Sequence, residues 1–197
     1  MSRPASNERL SPFAHSLKDA LETFEALKSH EEEVEKAADI VLTALKAGNK
    51  LLLCGNGGSA ADSAHIATEF TCRFKEDRRP YPAIALTVDG GLMTAIGNDY
   101  AFQDVFERQV RAFGKPGDVL IALTTSGKSR NVLSALEEAR RNKLHTIAFL
   151  GKGGGFTAGA ADVEIVIAGT VTARIQEAHK FLLHVMCEIV ETGLPKE

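Results

Sequence analysis

The chain has 197 residues, of which 44% are apolar and 25% charged, the balance of an ordinary globular protein long enough to bury a real core. Its 26 acidic and 23 basic side chains leave a net charge of −3, so no face is forced to be basic and nucleic acid is not an expected partner. No apolar run is long enough to span a bilayer, and the opening MSRPASNERLSP lacks the apolar stretch of a signal peptide, so no membrane partner and a cytoplasmic location are expected.

Residues 1–12, with Pro4 and Pro12 among polar neighbours, read as a flexible N-terminus. The remainder, 13–197, reads as one domain: two leading helices within 13–48, then an α/β core over 50–197. In the first helix, Phe13 to Lys28, apolar residues recur at Phe13, Leu17, Ala20, Leu21, Phe24 and Leu27. The second, Glu31 to Ala47, carries Val34, Ala37, Ala38, Val41, Leu42 and Leu45 on one face, and Gly48 is its expected stop. Two helices ahead of any strand need something to pack on, and a neighbouring subunit is one answer.

From residue 50 the pattern changes. Leu51–Cys54, Pro82–Val88, Asp118–Thr124, His145–Leu150 and Val163–Ala168 are short apolar runs, as expected of strands buried on both faces. Helical patterns lie between them: after the glycine turn at Gly55, around Leu92–Ile96 and Asp104–Phe113, and over Ser129–Asn142. GKGGGFTAG reads as a loop or short helix, and a last helix runs from Thr172 to Glu191. Alternation of strand and helix predicts a five-stranded parallel sheet with helices on both faces. Cys54, Cys72 and Cys187 are too scattered for a disulfide framework and read as reduced thiols.

Ligands of open α/β sheets bind beyond the carboxyl ends of the strands, and two strand ends carry distinctive residues. The first is Gly55-Asn56-Gly57-Gly58-Ser59. Glycines let the backbone approach a ligand, free N–H groups at the helix start attract anions, and Asn56 and Ser59 add polar side chains. A plain tight turn is the simpler reading. A dinucleotide fingerprint fits loosely, but no strand ending in an acid stands about 20 residues on. The second is Thr124-Thr125-Ser126-Gly127-Lys128-Ser129, whose hydroxyls cluster at a helix start and suit a phosphoryl group. Ala122 stands where a P-loop needs glycine, which excludes that motif. Ser129 also reads as a helix N-cap, a role compatible with the first.

His65 and Glu69 share a helix face at i, i+4, a spacing that serves a metal, an acid/base pair or an ordinary surface contact. Gln176, His179 and His184 lie on the last helix. Gln176 and His184 are separated by roughly 12 Å of helix rise. They share one ion only if both side chains lean inward or Gln176 lies near the helix start; otherwise two chains supply them.

The runs CGNGGSAADSAHIATEF, TAIGNDY, TTSGKS and ARIQEAHKFLLH together resemble the phosphoheptose isomerase family, a branch of the SIS (sugar isomerase) domain class. The resemblance covers nearly the whole chain and implies a flavodoxin- or Rossmann-like SIS domain in a homotetramer, with the leading helices in a central bundle. It implies substrate contacts at Asn56, Gly57, Gly58, Ser59, Glu69, Asn98, Asp99 and Gln176. The phosphate is expected on Thr124, Thr125, Ser126 and Ser129; the family usually begins this loop with serine, and the extra methyl of Thr124 bears on the fit. One zinc ion per subunit is expected on His65, Glu69, Gln176 and His184. The implied reaction converts D-sedoheptulose 7-phosphate into D-glycero-D-manno-heptose 7-phosphate through an enediol, with Glu69 as base and His184 as acid, and needs no redox cofactor.

Two other readings remain. A similar SIS branch binds the bacterial replication initiator and shares the glycine turn and the ARIQE segment, but looks to lack the acid/base pair that Glu69 and His184 form here. An isomerase acting on another sugar phosphate is the second.

Overall fold

A computed structural model describes residues 11–196. Residues 1–10 of the expected flexible stretch lie outside this range. Ser11 and Pro12 instead begin a helix: the Ser11 hydroxyl accepts the Ala14 N–H, and Pro12 takes the first turn of α1 (Pro12–Ala26). A short 3₁₀ turn (Leu27–His30) leads into α2 (Glu31–Lys46), whose first turn holds Glu31, Glu32 and Glu33 against the positive end of the helix dipole. Gly48, at φ 82°, ends it as expected.

The core alternates: β1 (Leu51–Gly55), α3 (Gly58–Thr71), β2 (Ala83–Ala85), α4 (Gly90–Asp99), α5 (Glu107–Phe113), β3 (Val119–Thr124), α6 (Arg130–Arg141), β4 (His145–Gly151), β5 (Val163–Ile167) and α7 (Thr172–Gly193). The five strands form one parallel sheet in the order β2-β1-β3-β4-β5, with Leu51 opposite Val119 and Val119 opposite His145. The expected sheet with helices on both faces is therefore present. Strand Pro82–Val88 is shorter than its apolar run because it is an edge. It pairs only with β1, and past Ala85 the chain turns so that the Thr87 hydroxyl donates to Ala60 O.

Each central strand sends alternate residues to opposite layers. Leu51, Leu53, Val119, Ile121, Ile147 and Phe149 meet α2, α3 and α7. Leu52, Cys54, Leu120, Ala122, Ala148 and Leu150 meet α4, α5 and α6. Helix α2 thus finds its partner within the chain. Helix α1 makes only a thin contact with α7: Phe24 packs on Phe181 with ring centroids 5.2 Å apart, and Arg174 Nη1 donates to Ser16 O. None of its residues is buried, and Phe13, Leu17, Leu21 and Phe24 are all exposed. The three cysteines are free thiols; Cys54 and Cys187 are buried and Cys72 is exposed. Burial pushes the Cys54 thiol up to about 12. No helix among the described residues is long and apolar enough to cross a membrane.

Candidate active site

Strands β1 and β3 are neighbours, yet the helices that follow them leave on opposite faces, α3 on one and α6 on the other. A crevice opens at such a switch point. The two loops singled out by their residues are the two that flank it.

The glycine turn after β1 places Gly57 at φ 56°, a conformation natural to glycine, immediately before α3. A side chain at Gly58 would fall onto the Gln176 amide, so α7 rests directly on this backbone. Ser59 is buried in the first turn of α3 and its N–H returns to Asn56 O at 3.0 Å. The Asn56 amide forms a reciprocal pair with Asn131: Asn56 Nδ2 donates to Asn131 Oδ1 at 2.9 Å, and Asn131 Nδ2 to Asn56 Oδ1 at 2.8 Å. Asn131 is buried in the first turn of α6. It ties the two loops together and was missed in the sequence, where nothing links it to Asn56.

In the loop after β3, Thr124 Oγ1 lies 3.0 Å from Ser129 Oγ and 3.3 Å from Ser126 Oγ, and the Lys128 N–H donates to Ser126 Oγ. Thr125 is half-buried beside them. Ser129 occupies the position before α6, but its side chain does not cap the helix, correcting that expectation. Its hydroxyl turns to Thr124 instead, which leaves the first N–H groups of α6 for an anion. The loop is braced from behind. Gly127 sits at φ 63°, a side chain there would fall onto the Gly154 carbonyl, and Thr157 donates both its hydroxyl (2.9 Å) and its N–H (3.2 Å) to Gly127 O.

The acid/base candidates converge across α3 and α7. His65 Nε2 lies 2.9 Å from His184 Nε2 and 3.3 Å from Glu69 Oε1. The side chain of His65 is 42% exposed and that of Glu69 only 16%, so the carboxylate is largely shielded from water. The His184 ring stacks on Phe74, centroids 5.9 Å apart. Burial, and then the facing His65, hold the His184 imidazole below its usual value, with Glu69 opposing. His184 is therefore neutral near pH 7.

The ligand atoms of His65, Glu69 and His184 all lie within 4.8 Å of one another. Ligands about 2.0–2.2 Å from one ion stand roughly 3–3.5 Å apart, so these spacings fit a metal. Two imidazole nitrogens that face each other at 2.9 Å hold at most one proton between them, and a cation there would satisfy both lone pairs. Gln176 is placed differently. Its Nε2 donates to the buried carboxylate of Asp62 at 3.0 Å, and Lys180 Nζ lies 3.5 Å from the same group. Asp62, His65 and Glu69 share one stripe of α3; Gln176, Lys180 and His184 share the facing stripe of α7. Asp62 fixes the amide so that Gln176 Oε1 is its free acceptor. Asn98 and Asp99 are exposed at the end of α4 and bond to each other at 2.8 Å. Among the described residues no hydrogen bond joins them to either loop.

His179, deep in α7, donates Nε2–H to Leu150 O (3.1 Å), and its Nδ1 has no partner among the described residues. Burial pulls it down to about 4, against the Leu150 carbonyl and Asp62. Unfolded, the ring titrates near 6.5. The unfolded chain therefore binds the extra proton between these values, so stability is full above about pH 6.5 and falls by about 3 kcal/mol as pH drops towards 4. Urea unfolding at pH 7 and pH 4 should show His179→Gln losing less stability than the parent; an equal loss would exclude this histidine as a cause.

A family model for the SIS domain matches residues 13–151. The chain is 50% identical over 163 residues to the phosphoheptose isomerase of Clostridium acetobutylicum, covering 83% of each chain. It is 53% identical over 160 residues to that of Aquifex aeolicus, covering 81% of this chain and 84% of the relative. Among solved structures, the phosphoheptose isomerase of Neisseria gonorrhoeae superposes with a TM-score of 0.87 at 40% identity, over 91% of this chain and 97% of the other. With its fold, its motifs and its relatives in agreement, the chain belongs to the SIS domain family, within the branch of the phosphoheptose isomerases.

Proposed function

We infer that this chain is an aldose–ketose isomerase of heptose biosynthesis that converts D-sedoheptulose 7-phosphate into D-glycero-D-manno-heptose 7-phosphate. The observation that carries the reading is the meeting of Glu69 and His184 at His65, in a chain half identical to enzymes named for this reaction. Glu69 accepts the proton from C1 of the ketose, an enediol forms, and a proton returns at C2. A neutral His184, with one N–H and one lone pair, moves a proton between the substrate oxygens without carrying charge at the start. Thr124, Thr125, Ser126 and Ser129, with the α6 N-terminus, grip the phosphate and hold the reacting carbons in register. Asn56, Gly57, Gly58, Ser59, Asn98, Asp99 and Gln176 complete the contacts to the sugar.

His65, Glu69, Gln176 and His184 are the residues that would hold one zinc ion per subunit. When bound, the ion polarises the substrate carbonyl. Glu69 engaged by a cation is a weaker base, so metal occupancy and proton abstraction compete at this carboxylate. The exposed apolar stripe of α1 supports a homotetramer in which leading helices cover one another. A doubly charged sugar phosphate does not cross a bilayer unaided, which favours a cytoplasmic site of action.

The test is an aldose-forming assay against a panel of ketose phosphates, with and without a chelator, on protein whose mass is measured by light scattering. Sedoheptulose 7-phosphate is expected to be the preferred substrate, with activity lost to the chelator and restored by zinc, in a species of four chains. Failure to isomerise any of the panel would favour a non-catalytic SIS protein, and insensitivity to chelation would remove zinc from the reading.

A further inference from the structure

Beyond the groups that meet substrate, α3 and α7 are joined by a second, buried device just past the acid/base pair. Arg78 lies in the segment between α3 and β2, its side chain 2% exposed against 7% for its partner Glu191 on α7. The guanidinium donates Nη2 to Glu69 O at 2.6 Å and Nη1 to Phe70 O at 3.0 Å, while Nε donates to Glu191 Oε1 at 3.3 Å. The two carbonyls belong to the last turn of α3, where helix carbonyls have no partner within the helix and a cation is favoured; Phe70 O also accepts the Tyr81 N–H at 3.0 Å. Glu191 in turn accepts the N–H groups of Phe74 (3.2 Å), Lys75 (2.9 Å) and Glu76 (3.3 Å). Burial drives its carboxyl upward, but these donors and Arg78 outweigh that and hold it below the usual range. Phe74, anchored this way, is the residue whose ring stacks on His184.

We propose that Arg78 and Glu191 are positioning residues for the acid/base pair: Arg78 fixes the helix end that carries Glu69, and Glu191 fixes the Phe74 ring against His184. The proposal rests on the isomerase reading above. Neither residue is among the proposed substrate contacts. Glu191 lies seven residues beyond His184, about 10 Å along α7, and the pair links the helix that carries the base to the helix that carries the acid. Reacting groups need placement to a fraction of an ångström, and a shift of about 1 Å can cost roughly 10²-fold in rate.

Three variants test it. Glu191→Gln keeps shape and one acceptor but removes the charge; Arg78→Lys keeps the charge but loses the planar fork; Phe74→Leu keeps apolar bulk without the ring. Glu138→Gln is the control, a buried carboxylate on α6 held by Arg111 and Arg141 away from the site. Each of the three is expected to lower kcat by about tenfold to a hundredfold with KM little changed, while Glu138→Gln loses thermal stability at parent kcat. In NMR spectra of the substrate-free protein, the His184 ring resonances should lose the ring-current shift of Phe74 in all three. Parent kcat together with parent His184 resonances in Arg78→Lys and Glu191→Gln would overturn the proposal. So would an equal kcat loss in Glu138→Gln. If Glu191→Gln does not fold, Arg78→Lys and Phe74→Leu carry the test. If the parent itself turns over no ketose phosphate, the function is wrong, and the His184 resonances still report whether the pair positions that ring.

Discussion

Glu69→Gln is expected to lower kcat for sedoheptulose 7-phosphate by about 10²–10⁴-fold, and His184→Ala by a similar factor, while binding of the phosphosugar partly survives. The substitutions remove the proposed proton acceptor and the proposed acid, and both side chains meet His65 between α3 and α7. Neither belongs to the hydroxyl loop, so the phosphate grip has no reason to fail with them. Ligand affinity measured by calorimetry separates the two effects. Turnover at the parent rate in either variant would remove that residue from the mechanism.

Gly127→Ala should damage the other half of the site. The residue sits at φ 63°, and the added methyl would fall onto the Gly154 carbonyl, a backbone group with no side-chain freedom to yield. Strain of this kind costs about 2–4 kcal/mol, or roughly 5–12 °C of Tm in a chain of this size. Because Thr157 is bonded to Gly127 O, the displaced loop also loses its backing. KM for the sugar phosphate is expected to rise at least about tenfold, a larger factor than the change in kcat. A variant with parent Tm and parent KM would show that the glycine loops do not hold the phosphate site.

Much of this could be read in the chain, for identifiable reasons. Apolar runs such as Leu51–Cys54 and Asp118–Thr124 mark parallel strands because both faces are covered. The run Pro82–Val88 misled by length, since an edge strand keeps only the residues that its single neighbour pairs. His65 and Glu69 were legible because the helix period alone brings them together. The partners that arrive from far along the chain were not: Asn131 at Asn56, Asp62 at Gln176 and Arg78 at Glu191 leave no local trace. Ser129 has a side chain suited to capping, and only the fold shows that Thr124 takes it.

Helix α7 follows the whole sheet in the sequence, and it brings His184 to a histidine 119 residues earlier. During synthesis the sheet emerges strand by strand, yet this side-chain cluster stays incomplete until α7 is made. A nascent chain that has passed β5 but not reached α7 carries His65 and Glu69 without His184. The cluster of His65, Glu69 and His184 therefore forms only after α7 has left the ribosome.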